Sequence, residues 1–332
     1  MKVIEMRETG GPAVLQLAER PRPELTGPTD ILVRLKAAGV NPVDTKIRKR
    51  GPLIPNGLPA VPGCDGAGVV EEAGAEVTRF KPGDEVWFCH GGLGGPVGNY
   101  AEYIVLDNHF AQSKPLSIDF VHAASAPLVL LTAWEALHDR ARLSEGQTVL
   151  IHGGAGGVGH VAIQLARAAK ARVCTTVSSP EKADFANALG AEYCINYREE
   201  DLVESIMDWT EGRGVDVALD TVGPEAFRRT IPAMAHYGDL VTILDPGPDL
   251  DLKEARNRNL RISLELMLTP MLFNLQRAQT HQGEILRRCA KMIDRGDLKI
   301  HVSRTFPLAE AQEAHKLIEE GHVTGKLALT MD

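Results

Sequence analysis

Gly154, Gly156 and Gly159 form a G-x-G-x-x-G run directly after the apolar stretch Thr148-Val149-Leu150-Ile151. Directly after it, residues 160–169 keep apolar side chains at helical spacing without a breaker. Strand, glycine turn and helix in that order make an anion site. The first glycine permits the tight turn, the second removes a side chain where backbone must approach phosphate oxygens, and the third lets helix and strand pack closely. Backbone N–H groups at the helix start, those of Gly157 and Val158 included, then face the anion. A second strand-like run at 171–177 closes a βαβ unit of roughly 30 residues, so the expected ligand is the pyrophosphate of a dinucleotide.

The end of that second strand bears on which dinucleotide. An Asp or Glu there, roughly 20 residues beyond the glycines, would bond ribose hydroxyls and repel a 2′-phosphate. The chain instead reads Thr175-Thr176-Val177-Ser178-Ser179, with Lys182 close behind. Hydroxyls and an ammonium suit a phosphate, so NADPH is the expected cofactor. A metal is not expected. The cysteines, Cys64, Cys89, Cys174, Cys194 and Cys289, are scattered without C-x-x-C spacing, and no H-E-x-x-H pairs the histidines. Catalytic zinc needs three good protein ligands and an open position.

Several elements must position these groups. Residues 1–120 read as short strands punctuated by Gly and Pro, with little helical period, which suggests a strand-rich, partly closed barrel. Within them Gly91-Gly92-Leu93-Gly94-Gly95 belongs to a second glycine-rich segment that leads into a strand, not a helix, and reads as a mobile loop. From about 121, helix and strand alternate. Six strand-like runs, at 148–152, 171–177, 193–197, 215–220, 239–244 and 260–264, with helices between them (225–236 among them), give an α/β doubly wound parallel sheet. Amphipathic helical segments at 283–295 and 308–320 follow, with strand-like runs at 300–306 and 326–329.

A formal net charge of −8 argues against a nucleic-acid groove or an anionic membrane surface as the main partner. With no signal core and no run of about 20 apolar residues, the expected location is the cytoplasm, where the thiols stay reduced.

Motifs along nearly the whole chain are shared with one family. They are Gly39-Val40-Asn41-Pro42-Val43-Asp44, Pro62-Gly63-Cys64-Asp65-Gly66, Leu131-Thr132-Ala133-Trp134-Glu135, the run from His152 to Gly159, Leu219-Asp220-Thr221-Val222-Gly223 and Gly325-Lys326-Leu327-Ala328-Leu329. The chain resembles the medium-chain dehydrogenase/reductase superfamily, and within it the zinc-independent, zeta-crystallin-like quinone oxidoreductase group. The resemblance implies a GroES-like substrate domain from both chain ends (1–122 and 270–332), a Rossmann cofactor domain (123–269) and a homodimer. Zinc-dependent members carry Cys where this chain has Asn41 and His where it has Cys64, which again speaks against zinc. The family places Asn41 and Thr132 on the nicotinamide side, Ser178, Lys182 and Tyr197 at the 2′-phosphate, and Lys326 among the cofactor contacts.

The implied chemistry is hydride transfer from NADPH to a small-molecule acceptor, a quinone or a conjugated carbonyl. Negative charge grows on oxygen, so hydrogen-bond donors and a proton are needed. Enone, alkenal or enoyl-thioester reduction is the enzymatic alternative, and a non-catalytic nicotinamide-binding protein is the alternative of another class. No general acid stands out after Asn41; Lys46 and Arg48 read as exposed charges, and Cys64 as a small buried thiol. The Met-rich segment at 266–273 reads as core or dimer packing.

Overall fold

Apolar and charged residues alternate in Ile31-Leu32-Val33-Arg34-Leu35-Lys36, and this half-buried pattern becomes the central strand of the first of two units. A computed structural model describes residues 1–55, 57–248 and 250–331. One unit comprises Met1–Leu128, Leu268–Gly296 and Ile300–Asp332; the other comprises Val129–Met267 and Asp297–Lys299.

In the first unit, β1 (Lys2–Glu5) pairs with β2 (Gln16–Glu19), and a larger antiparallel core holds β3 (Asp30–Val40), β4 (Asp65–Ala73), β5 (Glu85–Cys89), β6 (Tyr103–Asp107) and β7 (Gln112–Ser113). Helix α1 (Pro42–Arg50) interrupts this strand-rich half where little helical period is visible in sequence. Its start is local chemistry: the Asn41 backbone N–H donates to Asp44 Oδ2 at 2.8 Å, and Pro42 occupies the first helical position. The short helix α2 (Phe120–Ala124) precedes α3 (Pro127–Trp134), which carries the chain into the second unit.

The second unit repeats strand and helix: β8 (Thr148–Ile151), α4 (Gly157–Ala168), β9 (Arg172–Val177), α5 (Pro180–Leu189), β10 (Tyr193–Asn196), α6 (Leu202–Trp209), β11 (Val215–Asp220), α7 (Pro224–Thr230), β12 (Met234–Thr242), α8 (Lys253–Asn257) and β13 (Arg261–Leu264). All six strands are parallel, in the order β10-β9-β8-β11-β12-β13. One register row crosses the whole sheet: Tyr193, Cys174, Leu150, Ala218, Leu240 and Ile262. Ile206, Phe227 and Ala255 from the helices pack against that row in one apolar cluster. Parallel strands buried on both faces need such continuous apolar runs. The helix read at 225–236 stops at Thr230, because Pro232 has no N–H to continue it, and β12 begins at Met234.

The chain then returns to the first unit through α9 (Thr269–Leu272), α10 (Gln276–Asp294), β14 (Val302–Pro307), α11 (Ala311–Glu319) and β15 (Lys326–Thr330), giving the sheet order β14-β15-β3-β4-β5-β7 with β6 also on β3. Strand β15 runs antiparallel to β3 with Leu327 opposite Val40, which sets Lys326 at the start of α1. The glycine-rich segment at 91–98 is a loop whose Leu93 carbonyl accepts the N–H groups of Leu53 and Ile54 at 2.9 and 3.2 Å. No helix among the described residues is long and apolar enough to cross a membrane.

Candidate cofactor and active site

Of the glycines after β8, the fold demands Gly153, Gly154 and Gly159 and does not demand Gly156. Gly153 has φ +66°, the left-handed region. A Cβ on Gly154 would lie 2.2 Å from Thr175 Oγ1, and one on Gly159 2.2 Å from Gly153 O, so strand and helix pack too closely for any side chain. Gly156 differs, with φ −80° and only Gly153 O, at 3.2 Å, near its added Cβ. A few tenths of an ångström would relieve that contact. Gly156, Gly157 and Val158 are partly exposed at the first turn of α4, where no side chain caps the helix. The arrangement fits an anionic group seated on backbone N–H donors. Gly156→Ala is therefore expected to shift the melting temperature by only a few degrees while weakening dinucleotide binding roughly tenfold or more, as for lost hydrogen bonds to a charged group. Thermal melts beside a cofactor titration check this.

Beyond this turn, β9 and β10 end side by side. Asn196 is in register with Val177, so Ser178 and Tyr197 follow on neighbouring strands at the carboxyl edge of the sheet, where open α/β sheets bind ligands. Tyr197 is 49% exposed. Ser179 caps α5, its Oγ accepting from the Lys182 backbone N–H at 3.4 Å, and the Lys182 side chain is partly exposed. Ser178, Lys182 and Tyr197 thus all follow the carboxyl ends of β9 and β10, Lys182 in the first turn of α5. No carboxylate occurs between Thr175 and Ser179; Glu181, on the first turn of α5, is exposed.

Asn41 and Lys326 meet in the first unit. Asn41 is fully buried; its Nδ2 donates to Asp65 Oδ2 at 2.9 Å, and its Oδ1 accepts from Lys326 Nζ. Lys326 Nζ also donates to Val40 O at 2.9 Å. The ammonium expected among cofactor contacts is therefore turned inward, and Lys326 is 3% exposed. Asp65 Oδ1 accepts the Leu128 N–H at 2.8 Å. Burial pushes Asp65 up to about 6, with the Lys326 ammonium the main opposing influence. Asp44 is pushed up to about 7, chiefly by burial, while the Asn41 N–H favours its charged form and Asp65 opposes it. Lys326 is lowered by desolvation, with the two aspartates opposing. Burial and both carboxylates raise the Cys64 thiol, which suits an inert core group.

Behind Asp44 runs a second chain of bonds. Tyr100 OH donates to Asp44 Oδ2 at 3.3 Å and contacts His315 Nε2 at 3.1 Å; His315 Nδ1 faces Arg48 Nη1 at 3.4 Å. Arginine only donates, so Nδ1 accepts and Nε2 carries the proton. Arg48 also binds Gly10 O at 3.1 Å and Glu319 at 2.5 Å. It is fully buried, which corrects its reading as an exposed charge. Its partners lie 38, 267 and 271 residues away, beyond any local pattern. Lys46 is exposed.

Thr132 lies on α3 in the other unit and is 5% exposed. Asp44 and Asp65, the partners of Asn41, lie within the shared motifs; an Asp three residues after an Asn-Pro cap is the sequence signal that marks Asp44. Among the described residues no group of three or more His, Cys, Asp and Glu could hold a metal ion.

Comparison with known proteins matches residues 27–115 to the alcohol dehydrogenase GroES-like domain and residues 189–329 to a family described as zinc-binding dehydrogenase. The quinone oxidoreductase of Pseudomonas aeruginosa is 34% identical over 331 residues, covering 99% of each chain. A 2-haloacrylate reductase from a Burkholderia species is 33% identical over 313 residues, 91% of each. The crystal structure of Escherichia coli quinone oxidoreductase complexed with NADPH is similar over 100% of both chains, with 30% identity and a TM-score of 0.89.

Proposed function

Because the chain belongs to the quinone oxidoreductase group of the medium-chain dehydrogenase/reductase family, and so is an oxidoreductase with a pyridine-nucleotide fold, we propose that it transfers hydride from NADPH to a quinone without a metal. The observation that carries the reading is the pairing of Gly156, a glycine the interior does not require, with a β9 end, Thr175 to Ser179, that carries no acid and is followed by Lys182. Gly157, Val158 and Gly159 hold the pyrophosphate on backbone donors, Gly154 and Gly156 let the backbone come close to it, and Lys182 binds the 2′-phosphate with help from the two hydroxyls.

NADPH, when bound, supplies the hydride. The protein's part is to hold the reacting end and to meet the charge that grows on the acceptor oxygen. Thr132 offers a hydroxyl, and Asn41 backs the reacting end with an amide held by Asp65 and Lys326. Lys326 fixes the orientation of that amide from inside. The reading includes a cytoplasmic homodimer, as the family resemblance implies; Leu264, at the end of the edge strand β13, is 65% exposed and gives it an apolar contact.

A relative named for reducing 2-haloacrylate, a conjugated acid, favours a second reading in which the acceptor is an activated double bond. Initial rates on quinones and enones side by side separate the two. The metal-free part is tested by dialysis against a chelator: NADPH turnover is expected to stay unchanged, and a loss restored by stoichiometric zinc would overturn it.

A further inference from the structure

We propose that His152 is a positioning residue for the dinucleotide loop, its imidazole locking the Gly153 turn to α7 in a single hydrogen-bonded arrangement. The inference rests on the pyrophosphate reading above and adds what holds that site in shape.

His152 follows β8, is 3% exposed, and uses both ring nitrogens. Nε2 lies 2.7 Å from Thr230 Oγ1, and that hydroxyl donates its own proton to Ala226 O at 2.7 Å. Thr230 Oγ1 can therefore only accept from His152, which places the imidazole proton on Nε2. A neutral ring then leaves Nδ1 as an acceptor, 3.3 Å from Thr176 Oγ1, so the Thr176 hydroxyl donates to it. With its proton so directed, Thr176 Oγ1 turns a lone pair to the Gly153 N–H at 3.0 Å.

The chain of bonds runs in one direction, from Gly153 through Thr176 and His152 to Thr230 and the backbone of α7. Burial favours this neutral form and pushes the ring down to about 4, with Asp220 opposing and Arg229 assisting. The His152 backbone is held as well, its N–H on Leu219 O at 2.9 Å and its carbonyl on Thr221 Oγ1 at 2.7 Å.

The consequence falls on the phosphate cradle. Gly153 is the left-handed residue of the turn, and its carbonyl accepts the Gly156 N–H at 2.8 Å. That carbonyl belongs to the next peptide, whose own N–H, that of Gly154, donates to Thr176 O at 3.1 Å, so Thr176 holds both peptides of the turn and through them the orientation of Gly156 and the start of α4. An apolar residue at 152 would fill the same space, but it would leave the Thr176 and Thr230 hydroxyls without their shared partner and the Thr176 hydroxyl no longer oriented toward the Gly153 N–H.

The test uses the full chain and NADPH itself. His152→Leu and the near-isosteric Thr176→Val are each expected to raise the Kd and KM for NADPH about tenfold, the weight of one or two buried hydrogen bonds, while kcat at saturating NADPH falls by a smaller factor. His152→Asn, whose Oδ1 can accept from Thr176 as Nδ1 does, should recover much of the affinity. The inference is overturned if the Leu and Val variants fold and bind NADPH like the wild type, or if His152→Asn is as weak as His152→Leu. Should the Leu variant fail to fold, Thr176→Val decides alone, an unchanged Kd overturning the proposal. Failure of the wild type to bind NADPH or NADH would sink the pyrophosphate reading as well, which is a distinguishable outcome.

Discussion

Lys326→Met is expected to lower the free energy of unfolding by about 3 kcal/mol at pH 8, the weight of two buried hydrogen bonds from a charged donor, and by distinctly less at pH 5. The substitution removes the ammonium that lies against Asn41 Oδ1 and opposes the charge penalty on Asp65, while leaving two fully buried carboxylates. Asp44 and Asp65 titrate in the folded protein near 7 and 6, above the ordinary carboxylate range. Between roughly pH 4 and 7 the folded state therefore binds more protons than the unfolded one, and these two groups reduce stability as pH rises through that window. The wild type offsets part of this loss with Lys326. At pH 5 both acids are protonated in the folded state and there is less to offset; at pH 8 both are charged and the variant has no counter-charge. Urea melts of the two proteins at the two pH values measure the difference. A loss equal at both values, or below about 1 kcal/mol at pH 8, would show that the cluster is not organised around the ammonium.

Lys182→Ala is expected to raise the KM for NADPH about 10- to 100-fold, as for removal of a hydrogen bond to a charged group, and to change the KM for NADH by less than about twofold. The side chain is only partly exposed at the start of α5, and its backbone N–H already serves the Ser179 cap, so truncation leaves the helix start intact. Salt should shrink the difference between the cofactors, since the Debye length is about 8 Å at physiological ionic strength. Equal losses for both would remove Lys182 from the phosphate site.

The features legible in the sequence were those set by neighbouring residues. The glycine turn is local backbone geometry, and the alternation of strand and helix after 121 is enough to read a doubly wound sheet of six strands. Asn41 was singled out, yet its role as a buried hub was not, because Asp65 is 24 residues away and Lys326 285. Arg48 failed for the same reason: a charged residue on a short helix reads as solvated until Glu319 and His315 arrive from the other end of the chain. The misread end of α7 is a different case. Its apolar spacing is compatible with helix through His236, and only Pro232 marked the change to strand. His152 lay inside the glycine motif but attracted no attention, since its partners Thr176 and Thr230 belong to other elements.

The central claim is NADPH-driven hydride transfer to a quinone, and initial rates test it most directly. Metal-free protein is mixed with NADPH, and with NADH in parallel, against matched panels of simple quinones and conjugated enones, and the uncatalysed quinone reaction is subtracted. The account predicts saturable turnover of quinones with a higher kcat/KM for NADPH than for NADH. Turnover confined to enones would move the chain to the double-bond reductases, and NADPH binding without turnover of either panel would contradict the enzymatic assignment.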